Sequence, residues 1–314
     1  MYDKVSIFVD RAQIGRECSS VADYLETAND VTDRRTGDCR IYGSLQGLKV
    51  SVYTNGVYLI GSLPKFLHDG CNIYHISCDS TKEAIEKIGD LLHIPVADGK
   101  VTGFEFGTNF VLKHEPQRYL CRLGDMPYLH RFQIEAQTLY YKGIGRKQHK
   151  VFTLYDKIAD AKVKGMELPK GFEDANILRY EMRLKGKLTK QLNTMEVKAS
   201  TLYNPTFFRL VCKKWEDSYF SISKTRLNHS DMSNIKTPTD AFNALVARLI
   251  CQSEETTISN FIEELKQRKA FAHRSDYTRL RKKIEEISSK SGKIVQDDLI
   301  RELDDDVKNA TAFL

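Results

Sequence analysis

The chain has 314 residues, 41% of them hydrophobic and 29% charged, enough apolar material for one large core or two ordinary ones, which excludes a disordered or low-complexity protein. Lys and Arg number 48 against 42 Asp and Glu, a formal charge of +6; because acidic residues gather in the C-terminal "RELDDDVKNA", the rest of the chain is more basic and leans toward a polyanionic partner. Seven cysteines without a CxxC pair exclude a disulfide framework, no apolar run reaches the roughly 18 residues of a membrane span, and the first twenty residues lack a signal-peptide core, so a cytoplasmic protein with no membrane partner is expected.

In chain order, "KVSIFV" and "CRIYGSLQGLKVSVYTNGVYLIGSL" read as strands, with Asn55-Gly56 between two β-rich runs as a hairpin signal. In "CNIYHISC", the spacing of Cys71, His75 and Cys78 is irregular and no fourth ligand lies nearby, so packing is expected there and not zinc. "DSTKEAIEKIGDLLHI" reads as an amphipathic helix with Asp79 or Ser80 as its cap and Pro95 just beyond it. Strand-like runs return in "VTGFEFGTNFVL", "FQIEAQTLYYK", "HKVFTLYDK" and "ILRYEMRLKG".

After about residue 195 the pattern turns helical, in "TPTDAFNALVARLICQ", "TISNFIEELKQRKAF" and "DYTRLRKKIEEISSK", with Thr237 or Thr239 capping the first and Pro238 in its first turn. The expected fold class is α+β: an antiparallel sheet with helices on one face over residues 1–195, then a smaller, mainly helical domain over 196–314, for DNA binding or oligomerisation.

The strand runs carry a second message, because side chains alternate faces. Phe104, Phe106 and Phe110 share one parity and Glu105 and Asn109 the other. Phe152 and Leu154 oppose Thr153, Tyr155 and Lys157, and Leu178, Tyr180, Met182 and Leu184 oppose Arg179, Glu181, Arg183 and Lys185. If these runs share a sheet, their polar rows share a face.

A tyrosine on such a face can attack phosphorus, yet with a pKa near ~10 only about one phenol in a thousand is ionised at pH 7, so a cation must assist. Lys157 is the local candidate. Glu105 and Glu181, with Asn109 as a neutral oxygen, suit Mg²⁺ or Mn²⁺, while Arg179, Arg183 and Lys185 suit phosphates. In "LYYKGIGRKQHK", aromatic residues (Tyr140, Tyr141) alternate with Lys142, Arg146, Lys147 and Lys150, the composition of either a single-strand binding surface or an exposed charged loop. The bland alternative for the whole face is a solvated sheet surface with cross-strand Glu-Arg pairs.

The ordered set "GSLPKF" (61–66), "FEFGTNF" (104–110), "FTLYDK" (152–157) and "LRYEMRLK" (178–185) resembles the replication initiation proteins of filamentous bacteriophages and related phage and plasmid rolling-circle initiators, over roughly residues 1–200. The resemblance implies a fold like that of the HUH endonucleases and a cytoplasmic site of action in a bacterial host cell. It implies Tyr155 as the nucleophile that nicks one strand at an origin, becomes joined to the 5′ phosphate, frees a 3′ hydroxyl and later rejoins the strand, with Lys157 beside it and Glu105 and Glu181 near a divalent metal, Mg²⁺ or Mn²⁺. It also implies origin DNA, single-stranded or supercoiled, as partner, together with a host helicase, a polymerase and a homodimer.

The chain departs from the family in having no His-hydrophobic-His pair among its eight histidines, although His114 and His149 lie next to the candidate strands. Two competing readings are a tyrosine recombinase, which needs a His-x-x-Arg that is absent from this sequence, and a non-catalytic origin- or single-strand-binding protein in which Tyr155 only stacks.

Overall fold

The computed structural model describes the chain apart from residues 146–147, 167, 173, 225–226, 229–234, 253–254, 291–293, 296 and 313–314. Among the described residues, the strand-forming runs become β1 (Tyr2–Asp10), β2 (Thr27–Thr32), β3 (Cys39–Leu45), β4 (Leu48–Tyr53), β5 (Gly56–Ser62), β6 (Lys100–Val111), β7 (His130–Ile134), β8 (Thr138–Lys142), β9 (Lys150–Asp156) and β10 (Ile177–Lys185). They join in one sheet, in the order β2-β3-β4-β5-β1-β6-β10-β9-β8-β7, and every adjacent pair is antiparallel. The α+β class, with helices packed on the sheet and a helical C-terminal region, is the observed one.

The apolar rows meet where parity puts them. Tyr2, Phe104, Phe106, Tyr180 and Phe152 are buried, and the helix Pro205–Phe220 lies over them. Asn204 caps that helix by accepting from the Thr206 and Phe207 amides, and Pro205 occupies its first turn, where no amide is missed. Its buried stripe of Phe207, Phe208, Val211, Cys212, Trp215 and Tyr219 meets the sheet in edge-on and tilted ring contacts: Tyr2 is 5.6 Å from Phe208 and Tyr180 is 4.8 Å from Trp215.

Contacts divide the chain into two compact units: residues 1–223 with 303–314, and residues 224–302. The division therefore falls at 223 and not at 195, because the Pro205–Phe220 helix belongs to the sheet's core. Part of the acidic C-terminus also belongs there, since Asp304 accepts a 2.8 Å hydrogen bond from the Tyr219 hydroxyl. In the second unit, the helix Pro238–Gln252 packs against Arg274–Lys290. Its cap is Thr237, whose hydroxyl accepts from the Asp240 amide while Asp240 accepts from the Thr237 amide.

Three local expectations differ in detail. The β4–β5 turn is Thr54-Asn55, since Tyr53 pairs with Gly56. Gly56 instead allows close approach to β1: a Cβ there would lie 2.4 Å from the Val9 carbonyl oxygen. The helix Cys78–Leu92 is capped by Ser77, two residues before Asp79 and three before Ser80, and "FQIEAQTLYYK" is a hairpin of two strands, not a single strand. No helix of the described residues is long and apolar enough to cross a membrane.

Trp215 is the only tryptophan and is fully buried under the sheet. Trp215→Ala is expected to cost about 3–5 kcal/mol, measured as a lower urea midpoint by far-UV circular dichroism at unchanged native spectrum.

Candidate active site

The polar rows converge on one face of the central strands. Tyr155 on β9 stands opposite Arg179 on β10, which stands opposite Asn109 on β6. Thr153, Glu181 and Gly107 form the next row, and Val151, Arg183 and Glu105 the third. Gly107 is glycine for a reason: a Cβ would sit 2.4 Å from the Tyr180 carbonyl oxygen and 3.0 Å from Glu181 Cγ, so its absence leaves Glu181 room to turn over the sheet.

A β-bulge brings in a strand that the parity pattern does not. Tyr2 pairs with Phe106 and Val5 with Phe104, so two β1 residues, Asp3 and Lys4, face the single β6 residue Glu105. Both line the same cleft, as bulges re-aim side chains. Asp3 is buried and accepts from Arg179 Nη2 at 2.6 Å, from Asn72 Nδ2 at 3.0 Å and from the Ser62 hydroxyl. Burial pushes the Asp3 carboxyl up, but the Arg179 guanidinium and the two hydrogen bonds overcome it and hold the group below its ordinary value.

Arg179 is the centre of this network. It is 2% exposed, and besides Asp3 it donates through Nε to Glu181 Oε1 and through Nη1 to Asn109 Oδ1 at 3.0 Å. Burial disfavours its charge, yet Glu181 and Asp3 outweigh that and leave it firmly protonated. Arg179 is therefore a buried organiser, not a contact for DNA phosphates as the sequence suggested.

Glu181 links this organiser to the tyrosine: the Tyr155 hydroxyl donates to Glu181 Oε1 at 3.1 Å. Burial, then the Glu181 charge, push the Tyr155 phenol well above its usual pKa. Glu105 shares the cleft, and burial followed by the Glu181 and Asp3 charges push its carboxyl up. Arg183 stands 3.9 Å from it.

Lys157 does not continue β9, which ends at Asp156. Asp156 caps the helix Lys157–Val163 by accepting from the Ile158 and Ala159 amides. Lys157 still reaches the site, where its buried Nζ donates to Asn72 Oδ1 at 2.9 Å. Burial, then Arg179, lower its pKa to about 8. The cleft holds about 480 Å³ and is lined by Lys4, Lys49, Lys65, Lys157 and Lys164 among its cations and by Asp3, Glu105, Asp160 and Glu181 among its acids.

Several other sequence candidates lie elsewhere. Asn109 spends its oxygen on Arg179 and its amide on the Ile73 carbonyl at 2.8 Å, so it is not offered to a metal. Lys150 has the parity of Phe152 and lies over that ring at 4.8 Å, on the face away from Tyr155. Lys185 is exposed at the end of β10 and does not line the cleft. Arg146 and Lys147 fall outside the described residues. His149 pairs with the Lys185 carbonyl at 3.0 Å and His114 with Arg118 at 3.1 Å, neither in the cleft. Tyr141 is a core residue whose hydroxyl donates to the Gly124 carbonyl at 2.7 Å. His75 pairs with the Thr108 hydroxyl at 2.6 Å.

Among the described residues no group of three His, Cys, Asp or Glu side chains has metal-holding geometry. Glu105 and Glu181 line the same cleft, and their mutual repulsion contributes to the raised Glu105 pKa.

No protein-family model matches the chain, and no curated protein matches it. The chain is similar to solved structures. One of them is of a rolling circle replication initiator protein from Geobacillus stearothermophilus, with a TM-score of 0.41 and 11% identity, covering 77% of this chain and 89% of that one. The chemistry below rests on this chain's own residues.

The sequence missed Asp3, Asn72 and Ser62, although the charged pair in "YDKVSIFV" interrupts the apolar alternation and is a trace of the bulge. Asp3→Ala strips the buried guanidinium of one partner and is expected to cost about 3–5 kcal/mol of stability. In the native protein the lowered Asp3 pKa stabilises the fold fully above the carboxyl's ordinary pKa near ~4, and that contribution is lost as pH falls from there through the lowered native pKa. Asp3→Asn should flatten that acid limb of a urea-midpoint profile; an unchanged limb would show that Asp3 is not ion-paired.

Proposed function

We propose that the chain is a DNA strand transferase that nicks one strand and later rejoins it, with Tyr155 as nucleophile, acting as a replication initiator of the rolling-circle type. The observation that carries this reading is the Tyr155–Glu181 hydrogen bond at the floor of a lysine-rimmed cleft. In the reaction, Tyr155 Oη forms a bond to the scissile phosphorus and the O3′–P bond breaks. The 5′ phosphate is then held on tyrosine, and the leaving 3′ oxygen takes up a proton to become the free hydroxyl. Reversal, with a 3′ hydroxyl attacking the phosphotyrosine, restores the phosphodiester without an external energy source.

Glu181 Oε1 is the acceptor for the phenol proton. In the free site, burial and the Glu181 charge hold the phenol protonated. The proton therefore leaves together with P–O bond formation, and the cations around the phosphate bear the developing charge. A divalent cation held by Glu105 and Glu181 would polarise the phosphodiester; Lys157 and the lysines of the rim hold its non-bridging oxygens. A tyrosine recombinase, by contrast, works from a helical catalytic domain, whereas Tyr155 stands on a sheet strand.

The test is a denaturing gel and mass spectrum for a covalent protein–DNA adduct on the replicon's own origin DNA, with Mg²⁺ or Mn²⁺. An adduct at Tyr155 that is absent from Tyr155→Phe is expected. Cleavage that persists in the variant overturns Tyr155 as nucleophile, and binding without cleavage by the unaltered protein favours a non-catalytic binding role.

Lys157 adds a pH signature. Its ammonium is present below about pH 8 and lost above it, whereas a bound phosphate favours the charged form. DNA binding near pH 8.5 is therefore expected to take up a proton, and affinity to fall by up to about tenfold per pH unit above 8. Calorimetry in buffers of different ionisation enthalpy measures the uptake, and Lys157→Met should abolish it.

A further inference from the structure

The face that carries Tyr155 does not stop at β9. Tyr140 on β8 stands opposite Thr153, and Phe132 on β7 stands opposite Tyr140. Alternation then places Phe132, Tyr140 and Lys142 on the face of Tyr155, with Tyr140 its diagonal cross-strand neighbour at about 7–8 Å. Lys142 Nζ lies 4.7 Å from the Phe132 ring centre and 5.7 Å from that of Tyr140. Phe132 is 42% exposed although it is a large apolar side chain.

The rings are not needed to close the core. On the reverse face of the same hairpin, Leu139 and Tyr141 are buried, and Arg131 Nε donates to the Leu123 carbonyl at 3.1 Å. The core side of the hairpin is thus already filled, and its open side presents two aromatic faces with a cation over both. Lysine is depleted at the centre of protein–protein interfaces, whereas aromatic rings beside cations are the combination that holds single-stranded nucleic acid, by base stacking and phosphate neutralisation. Arg183, in the row of Lys142, extends the positive charge toward Glu105.

We propose that Phe132 and Tyr140, with Lys142 over them, form a stacking platform for single-stranded DNA adjoining the phosphate that Tyr155 attacks. This rests on the nicking reading for the phosphate's place, but the platform's affinity for a single strand does not. It fixes the substrate conformation: bases that stack on the β7–β8 hairpin must first leave the duplex, so the strand enters unpaired.

The experiment uses the full chain carrying Tyr155→Phe, so that no cleavage intervenes, with fluorescein-labelled oligothymidylate and a 2-aminopurine-substituted oligonucleotide as probes. Phe132→Ala with Tyr140→Ala is expected to weaken binding about 25-fold, a factor of about five for each ring, and to abolish the 2-aminopurine quench. Phe132→Trp should retain both. Circular dichroism verifies that the variants are folded, and if the double variant fails to fold, Lys142→Ala, expected to weaken binding and reduce its salt dependence, decides the matter.

Unchanged affinity and quench in the folded double variant overturn the proposal, as does failure of the parent protein to bind oligothymidylate. Loss of self-association in sedimentation at unchanged DNA affinity would show the face to be an interface between copies, which also overturns it. The adduct assay on origin DNA is separate: no adduct with the platform result intact defeats the nicking reading alone, and an adduct at Tyr155 with unchanged single-strand affinity defeats the platform alone.

Discussion

The site depends on one buried positive charge. Taking the Arg179 guanidinium out of water costs several kcal/mol unless its donors are paired, and the pairing ties three parts of the sheet together: Asp3 from β1, Asn109 from β6 and Glu181 from β10 itself. Asn72, from the segment before the Cys78–Leu92 helix, joins through Asp3 and Lys157. Because Glu181 is held by Arg179, the oxygen offered to Tyr155 has a fixed place. A lysine could not substitute, since a single ammonium lacks the planar fork that reaches Asp3, Glu181 and Asn109 at once.

The charges around this hub are arranged for restraint before action. Glu181 stabilises the neutral phenol as a hydrogen-bond donor and opposes the phenolate, and burial does the same. The Lys157 pKa is lowered to about 8, so near that pH the charge it presents depends on whether an anion is there to favour it. The cleft therefore holds its tyrosine neutral, and under the proposed chemistry the phosphate itself would supply part of what makes the site reactive.

Much of this was legible in the sequence because alternation in a sheet is a strict rule. The parity of "FEFGTNF", "FTLYDK" and "LRYEMRLK" placed Glu105, Tyr155 and Glu181 on one face, and the register agrees. Parity said nothing of depth, however, and so Arg179 looked like a surface cation when it is among the most buried groups. It also fails at irregularities. The bulge at Asp3 and Lys4 and the turn from strand to helix after Asp156 are set by contacts between distant strands, and local pattern holds only a trace of them. Lys150 was assigned by its neighbourhood in a basic run, although its own parity with Phe152 puts it on the helix side. The boundary at 195 marked a real change from strand to helix, but the Pro205–Phe220 helix spends its apolar stripe on the sheet, which composition cannot show.

The separation of the hub's partners along the chain has a consequence for the timing of activity. Asp3 and Arg179 are 176 residues apart, and the helix that covers the central strands comes later still. At about 5–20 residues per second of synthesis, the chain spends many seconds as a ribosome-bound fragment in which β1 lacks β10, the strand that carries Arg179 and stands beyond β6 in the sheet. During that interval Glu181 does not exist opposite Tyr155. A fragment released early would carry Tyr155 but no buried guanidinium to fix Glu181 beside it, so under the proposed chemistry only molecules whose sheet has closed around its first strand could break a strand.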